Sequence, residues 1–396
     1  NFKGKNLEIK YGNNTKFLGN ITMVGLPNFE ETFVNLFVNN FSSSAVDIES
    51  FSLPSTDGKP FFITLPKEIK KIENIKFNGA FTGFINNFVA KAQFYTNLGG
   101  INTDINCKKI NTDRKFSYSG NIAAISFNMG ALLPPNTNLG KVSFKLNIAG
   151  EGINSSNIKT ALNGKIDSLG FMGYFYKNIV LSANIEQKIF NAILSIKDPN
   201  INLNFKGLVD YSDTLPRFDF EAKLDNLHLA RLNLWKRDSM TSLSAKLDIE
   251  FKGDNIDNMQ GNIQVDSLLY TEGTKNLKIN NIILTVNSDE NNNKKLKFIS
   301  DITDADISGN FKFTDMPVSI EKFLEDYIPS FVNSNKTKQT FDIPAENFTY
   351  NIVLKDISPL CNIFFPVLNV ASNSVLKGNY NSINNTFEVS VYTKNI

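Results

Sequence analysis

The chain has 396 residues, 41 of them basic and 39 acidic, and a net charge of +2 offers no basic field to a nucleic-acid backbone. A single imidazole, His228, excludes a His-rich metal site, and two cysteines 254 positions apart exclude a CxxC pair or a small disulfide framework. No run approaches the roughly 20 apolar residues of a membrane-spanning helix.

The chain opens Asn1-Phe2-Lys3-Gly4, without an initiator Met or a signal-peptide hydrophobic region, and closes on VSVYTKNI, which reads as a strand. It is therefore expected to be a piece of something longer, with its anchors elsewhere. Residues 1–70 are expected to form an N-terminal segment with a helix near 28–40. Asn28 follows Pro27 as a cap, Glu31 stands at capping-box spacing, and Phe29, Phe33, Leu36, Phe37 and Asn40 recur at helical intervals.

From 71 to 313 the dominant period is two. Val142, Phe144, Leu146 and Ile148 alternate with Ser143, Lys145 and Asn147. Leu194 and Ile196, Leu203 and Phe205, and Phe218, Phe220 and Leu224 continue the pattern. Its cleanest stretch sets Leu243, Ala245, Leu247, Ile249 and Phe251 against Ser244, Lys246, Asp248 and Glu250. Successive strand side chains point to opposite faces, so each segment is apolar on one side and wet on the other. That is the pattern of an antiparallel sheet with one covered face.

Turn signals such as Asn97-Leu98-Gly99-Gly100 and Asp198-Pro199-Asn200 punctuate these runs, and 56 Asn, about 14% of the chain, suit many tight turns. Gly79, Gly83, Gly164, Gly207, Gly253 and Gly309 fall inside strand patterns, where they permit curvature or close approach. Residues 314–340 are expected to be a helical insertion, with Ser319 as cap and Ile320, Phe323, Leu324, Tyr327 and Phe331 as one stripe. Strands resume over 341–396 with Phe348, Tyr350, Ile352 and Leu354.

Catalytic and nucleotide-binding signatures (GxSxG, HExxH, GxGxxG, Walker A) do not occur. Asp301, Asp304 and Asp306 lack the Gly and terminal Glu of a calcium loop. Cys107 lies beside Lys108 and Lys109, which would lower its pKa, although an inert thiol is the default. His228 among Leu227, Leu229 and Leu232 reads as a partly buried imidazole. No enzyme, cofactor or metal site is expected.

About twenty strands at ~4.8 Å would give a sheet on the order of 100 Å long. Folded on another sheet it would be a sandwich; closed and turned outward, a membrane barrel; curled without closing, a trough with an apolar floor. Mid-strand Phe and uniformly short loops fit a barrel poorly. The expected fold is all-β: a long, curved, mostly antiparallel repeating β-groove with two short amphipathic helices. Its floor would be Val142, Phe144, Leu146, Ile148, Leu181, Ile185, Leu194, Ile196, Leu203, Phe205, Phe218, Phe220, Leu224, Leu247, Ile249, Phe251, Ile263 and Val265.

Several stretches resemble the TamB-type members of the AsmA-like superfamily as found in Bacteroidota. They are KFSYSGNIAAISFNMGALL (115–133), NLGKVSFKLNIAGEGIN (138–154), LNGKIDSLGFMGYFYKNIVLSANI (162–185), LSIKDPNINLNFKGLVD (194–210) and FDFEAKLDNLHLARLNL (218–234). Upstream, ITMVGLPNFEETFVNLFVNN (21–40) and FNGAFTGFINNFVAKAQFYTNLGGINTDI (77–105) look like the same family's helix and strand pair, so the likeness covers about residues 15–310.

The resemblance implies a periplasmic β-taco of the bridge-like lipid transfer type in a Gram-negative envelope. Such a protein is anchored to the inner membrane by a segment outside this chain and conducts phospholipid toward the outer membrane. It also implies an outer-membrane barrel partner of the assembly type. Two further readings stay open: a scaffold in outer-membrane protein assembly, and a surface β-sandwich adhesin.

Overall fold

A computed structural model describes residues 1–394 apart from 54–60, 63, 66, 68, 111–114, 135–136, 153, 155, 236–239, 291–292, 317–318 and 320–344. Strand makes up 67% of the described residues, so the fold is all-β as expected. Two compact units divide it: Asn1–Pro199 with Arg231–Leu234, and Asn200–Ala230 with Trp235–Ile396.

The first unit opens with β1 (Phe2–Tyr11), β2 (Thr15–Val24) and β3 (Phe33–Ser44), then helix α1 (Ala45–Ser50) and a ribbon of β4 (Ser52–Leu53) and β5 (Phe61–Phe62). A meander follows: β6 (Asn74–Phe84), β7 (Asn87–Thr96), β8 (Gly99–Lys109), β9 (Phe116–Asn128) and β10 (Leu139–Glu151). Then come β11 (Lys159–Phe171), β12 (Tyr174–Glu186) and β13 (Ile189–Asp198). Apart from the ribbon, each strand pairs antiparallel with the next, β3 passing to β6. Met172 (φ 50°) and Gly173 (φ 79°) give the β11–β12 turn the left-handed backbone that suits the twist of a hairpin. Register shifts at Gly4/Leu7, Leu18/Gly19, Val38/Phe41 and Val142/Phe144 are bulges, which bend the strands that carry them.

The second unit contains β14 (Ile201–Asp210), β15 (Arg217–Leu227), β16 (Thr241–Lys252), β17 (Gln260–Glu272) and β18 (Lys275–Ser288). It continues with β19 (Lys294–Ser300), β20 (Thr303–Asn310), β21 (Asn347–Leu354), helix α2 (Ser358–Phe364), β22 (Ser374–Asn381) and β23 (Thr386–Tyr392). These strands also form an antiparallel meander. Among the described residues β1 pairs only with β2 and β23 only with β22, so neither meander closes into a barrel.

The helix expected near 28–40 is absent: residues 33–44 are β3. The cap signal at Asn28 is real but stops after one 3-10 turn, Phe29–Glu31, in which Asn28 Oδ1 accepts from the Glu30 N–H at 3.1 Å. Beyond it Val34, Leu36 and Val38 alternate at period two and include two β-branched residues. Pairing with β2 and β6 then overrides the helical spacing of the phenylalanines. Two short helices the sequence did not announce, α1 and α2, are present elsewhere. Of the insertion expected over 314–340, the Met316 and Ser319 N–H groups donate to the carbonyls of Lys312 and Asp315, at helical spacing. Ile320, Phe323, Leu324, Tyr327 and Phe331 lie outside the described residues.

Fully dry packing is local. In the second unit α2 sets Ile363 on Tyr270, Leu277, Ile279 and Ile302, and a second cluster joins Val286, Leu296, Phe311, Phe348 and Tyr380. In the first unit Ala124, Phe127 and Val142 form a smaller one.

Asp301 ties β18 to the β19–β20 turn. Its carboxylate accepts the Asn280 N–H and side-chain amide, each at 2.7 Å, and the Asn281 N–H at 3.1 Å. These bonds, the Asn280 N–H first, hold the carboxyl below its ordinary range against a smaller opposing effect of burial. A carboxyl depressed in the folded state stabilises above its unfolded pKa, and that contribution disappears as pH falls through about 4 and below. Asp301→Asn is therefore expected to lower the melting temperature at neutral pH, with the deficit shrinking in acid. A deficit that stays constant with pH would contradict this.

Candidate functional site: an apolar face ruled into rows

Residues directly opposite one another in a ladder share a face, so the register resolves the apolar face into rows that cross the strands. In the first unit one row runs Ile9, Phe17, Phe41, Phe77, Phe94, Ile101, Ala124, Phe144, Ile166, Ile179 and Ile196, one residue from each of eleven strands. Two residues along each strand, three on β3 because of its bulge, lies the next: Leu7, Gly19, Val38, Gly79, Ala92, Thr103, Ile122, Leu146, Gly164, Leu181 and Leu194. A third begins Gly4, Ile21, Leu36 and Phe81 and continues through Ile148 and Leu162 to Ala192. None of these positions carries a charge.

The second unit repeats the arrangement. Gly207, Phe220, Ile249, Ile263, Leu284, Phe298, Ala305, Ile352, Leu376 and Val391 form an apolar row over its ten strands. Beside it Val209, Phe218, Phe251, Gly261, Val286, Leu296 and Ile307 form another.

The eighteen residues expected from sequence sit in or next to these rows. In the first unit Phe144 and Ile196 are in the first row, Leu146, Leu181 and Leu194 in the second, and Ile148 in the third. Ile185, opposite Phe190, lies one step outside, and Val142 joins the dry cluster with Phe127. In the second unit Phe220, Ile249 and Ile263 share one row and Phe218 and Phe251 the next. Phe205, Leu247 and Val265 fall on a third, and Leu203 with Leu224 on a fourth.

Of the eighteen, only Val142 (5% exposed) and Ile196 (7%) are buried; the other sixteen are half-buried. A facing sheet would bury such residues fully. The other sheet among the described residues is the ribbon of β4 and β5, two residues a strand, which is too small for that role.

Side-chain size varies between rows. In the first unit the first row is a rail of rings, with Phe41 and Phe77 centroids 4.8 Å apart and Phe77 and Phe94 5.5 Å apart. The second row has Gly19, Gly79, Ala92 and Gly164 instead. Two recesses of about 480 and 460 Å³ share Lys91, Ala92 and Gln93. Each is lined by triplets of consecutive residues whose middle members are second-row positions, from Val38 and Gly79 to Ile122 and Leu146. Sequence reasoning placed its floor from residue 142 onward and missed the upstream half. Phe88, Ala90, Ala92 and Phe94 carry the same period-two signal and would have revealed it.

The opposite face is mostly polar, although Phe37, Val89, Val180 and Ile193 are exposed on it. Exposed ion pairs cross it between neighbouring strands, including Lys159–Glu186 at 3.5 Å, Arg217–Glu250 at 3.2 Å and Lys246–Asp266 at 3.7 Å. Such pairs add little stability and keep this face wet.

Two of the isolated acidic candidates are occupied structurally, while the Nδ1 atom of His228 is buried without a hydrogen-bond partner. Asp301 holds Asn280, and Asp304 pairs with Lys355 at 2.6 Å. Burial pushes the Cys107 thiol up, opposite to the effect expected of its lysine neighbours. No group of acidic, His or Cys side chains among the described residues could hold a metal, and no helix among them is long and apolar enough to cross a membrane. The chain matches no family model, no curated protein and no solved structure.

Proposed function

We propose that this chain is a conduit segment for phospholipid acyl chains, the periplasmic part of a TamB-type bridge-like lipid transfer protein. The observation that carries the reading is the set of charge-free rows, the longest crossing eleven strands in the first unit and ten in the second, half-buried at most positions although Val38, Ala124, Ile179, Ile196, Val286 and Leu296 are buried. An acyl chain in water loses about 0.8 kcal/mol per CH₂, so two sixteen-carbon tails cost on the order of 25 kcal/mol to expose. A continuous apolar floor removes most of that barrier, and hydrated headgroups remain outside. The inner membrane would hold the full-length protein through a segment beyond this chain, and an outer-membrane barrel of the assembly type would receive it. Such transfer needs no acid, base, metal or nucleotide.

Native mass spectrometry of protein purified under mild conditions is expected to detect bound phospholipid. A chain that remains ligand-free after incubation with phospholipid would count against the reading.

A further inference from the structure

In the second unit, the β21–β22 connection carries an apolar knuckle that the rows do not use. Helix α2 is firmly seated: Cys361 and Ile363 are buried, and the Phe364 ring lies 5.5 Å from that of Tyr270. Directly after it Phe365 is 55% exposed, Val367 99% and Leu368 51%. The Phe365 N–H donates to the Cys361 carbonyl and the Leu368 N–H to that of Phe365, each at 2.8 Å, so a hydrogen-bonded turn containing Pro366 presents the three side chains. The twenty residues 357–376 contain no charged side chain. A cation is fixed on the helix that precedes the turn: Lys275 Nζ donates to the Asn362 carbonyl at 2.8 Å.

We propose that the Phe365–Leu368 knuckle inserts into the headgroup and acyl boundary of a lipid bilayer. Three exposed apolar side chains on a tight turn form a plug rather than a groove, and they offer a protein partner no charge to recognise. A bilayer needs none: it takes up apolar surface and rewards a cation held at headgroup depth. Lys275 is placed to meet an anionic headgroup while Phe365, Val367 and Leu368 pass below it. The seated helix fixes the plug in advance, so little ordering is lost on docking. This inference is independent of whether the rows carry lipid, because it concerns a surface that none of them includes.

Flotation of the 396-residue protein with phosphatidylcholine vesicles containing phosphatidylglycerol tests it. The parent is expected to float with the vesicles, and the double variant Val367→Asp, Leu368→Asp to lose about tenfold or more of the bound fraction. Both positions are exposed, so an unchanged melting temperature should accompany the loss. Trp235 is the only Trp, so a Trp235→Phe, Val367→Trp variant reports on the knuckle alone. Its emission is expected to shift to the blue when vesicles are added.

Failure of the parent to float, equal flotation of parent and double variant, or emission unchanged by vesicles would each overturn the proposal. So would self-association without lipid that the double variant abolishes, which would assign the knuckle to a second copy. Bound phospholipid in purified protein reports on the rows and leaves this outcome separate.

Discussion

Replacing Phe311 with Ala is expected to destabilise the second unit by about 3–5 kcal/mol, the usual range for a buried phenylalanine. The ring is 1% exposed and packs edge-on to Phe313 at 5.3 Å and Phe348 at 5.6 Å. Lys294 reinforces the site: its Nζ donates to the Phe311 carbonyl at 2.8 Å and lies 5.4 Å from the centre of the ring. Removing the ring leaves a cavity between Val286, Leu296, Phe348 and Tyr380 and exposes the lysine's apolar support. Urea unfolding followed by circular dichroism measures the loss. A change below about 1 kcal/mol would mean that the cluster is not the dry core described above.

The rows are expected to respond in the opposite way. Leu247→Arg or Phe144→Asp should reduce phospholipid transfer between vesicles by at least about tenfold, a loss of at least ~1.4 kcal/mol. Leu247→Arg should cost no more than about 1–2 kcal/mol of stability. A charge placed in a sealed core is left without partners and unfolds the protein, whereas one on a half-exposed face stays hydrated or swings its head into water. Leu247 lies between Ala222 and Val265, and Phe144 between Ala124 and Ile166, and both are half-buried. At Leu247 the charge would interrupt a row without opening a core, whereas Phe144 also packs on the dry cluster of Ala124, Phe127 and Val142, so a larger loss of stability is expected there. Unfolding by both variants would identify the face as a dry interior, and full transfer by both would detach the rows from transport.

Much of this arrangement is legible along the chain, because a strand with one apolar face repeats every two residues. Leu243 to Phe251 read as a strand and form most of β16. What the sequence does not contain is register. That Phe41 faces Phe77, and Phe77 faces Phe94, depends on turns and bulges that bring distant positions level. The rail of rings and the row of small side chains beside it therefore emerge only from the ladders.

The misplaced helix near 28–40 has a related cause. Phenylalanines at 29, 33 and 37 satisfy a helical spacing, while Val34, Leu36 and Val38 satisfy a strand in the same residues. Pairing on both sides by β2 and β6 decides between them. The knuckle after α2 was invisible for a different reason: an uncharged apolar stretch reads as core until exposure shows which of its residues face outward.

The account rests on hydrocarbon entering the apolar face, and site-specific photo-crosslinking measures that directly. A benzophenone side chain at Ile249 points along the row shared with Phe220 and Ile263, and one at Glu250 points to the polar face of the same strand. Irradiation in the presence of phospholipid is expected to give lipid adducts at 249 and none at 250. Equal labelling at the two positions, or none at 249, would contradict the claim.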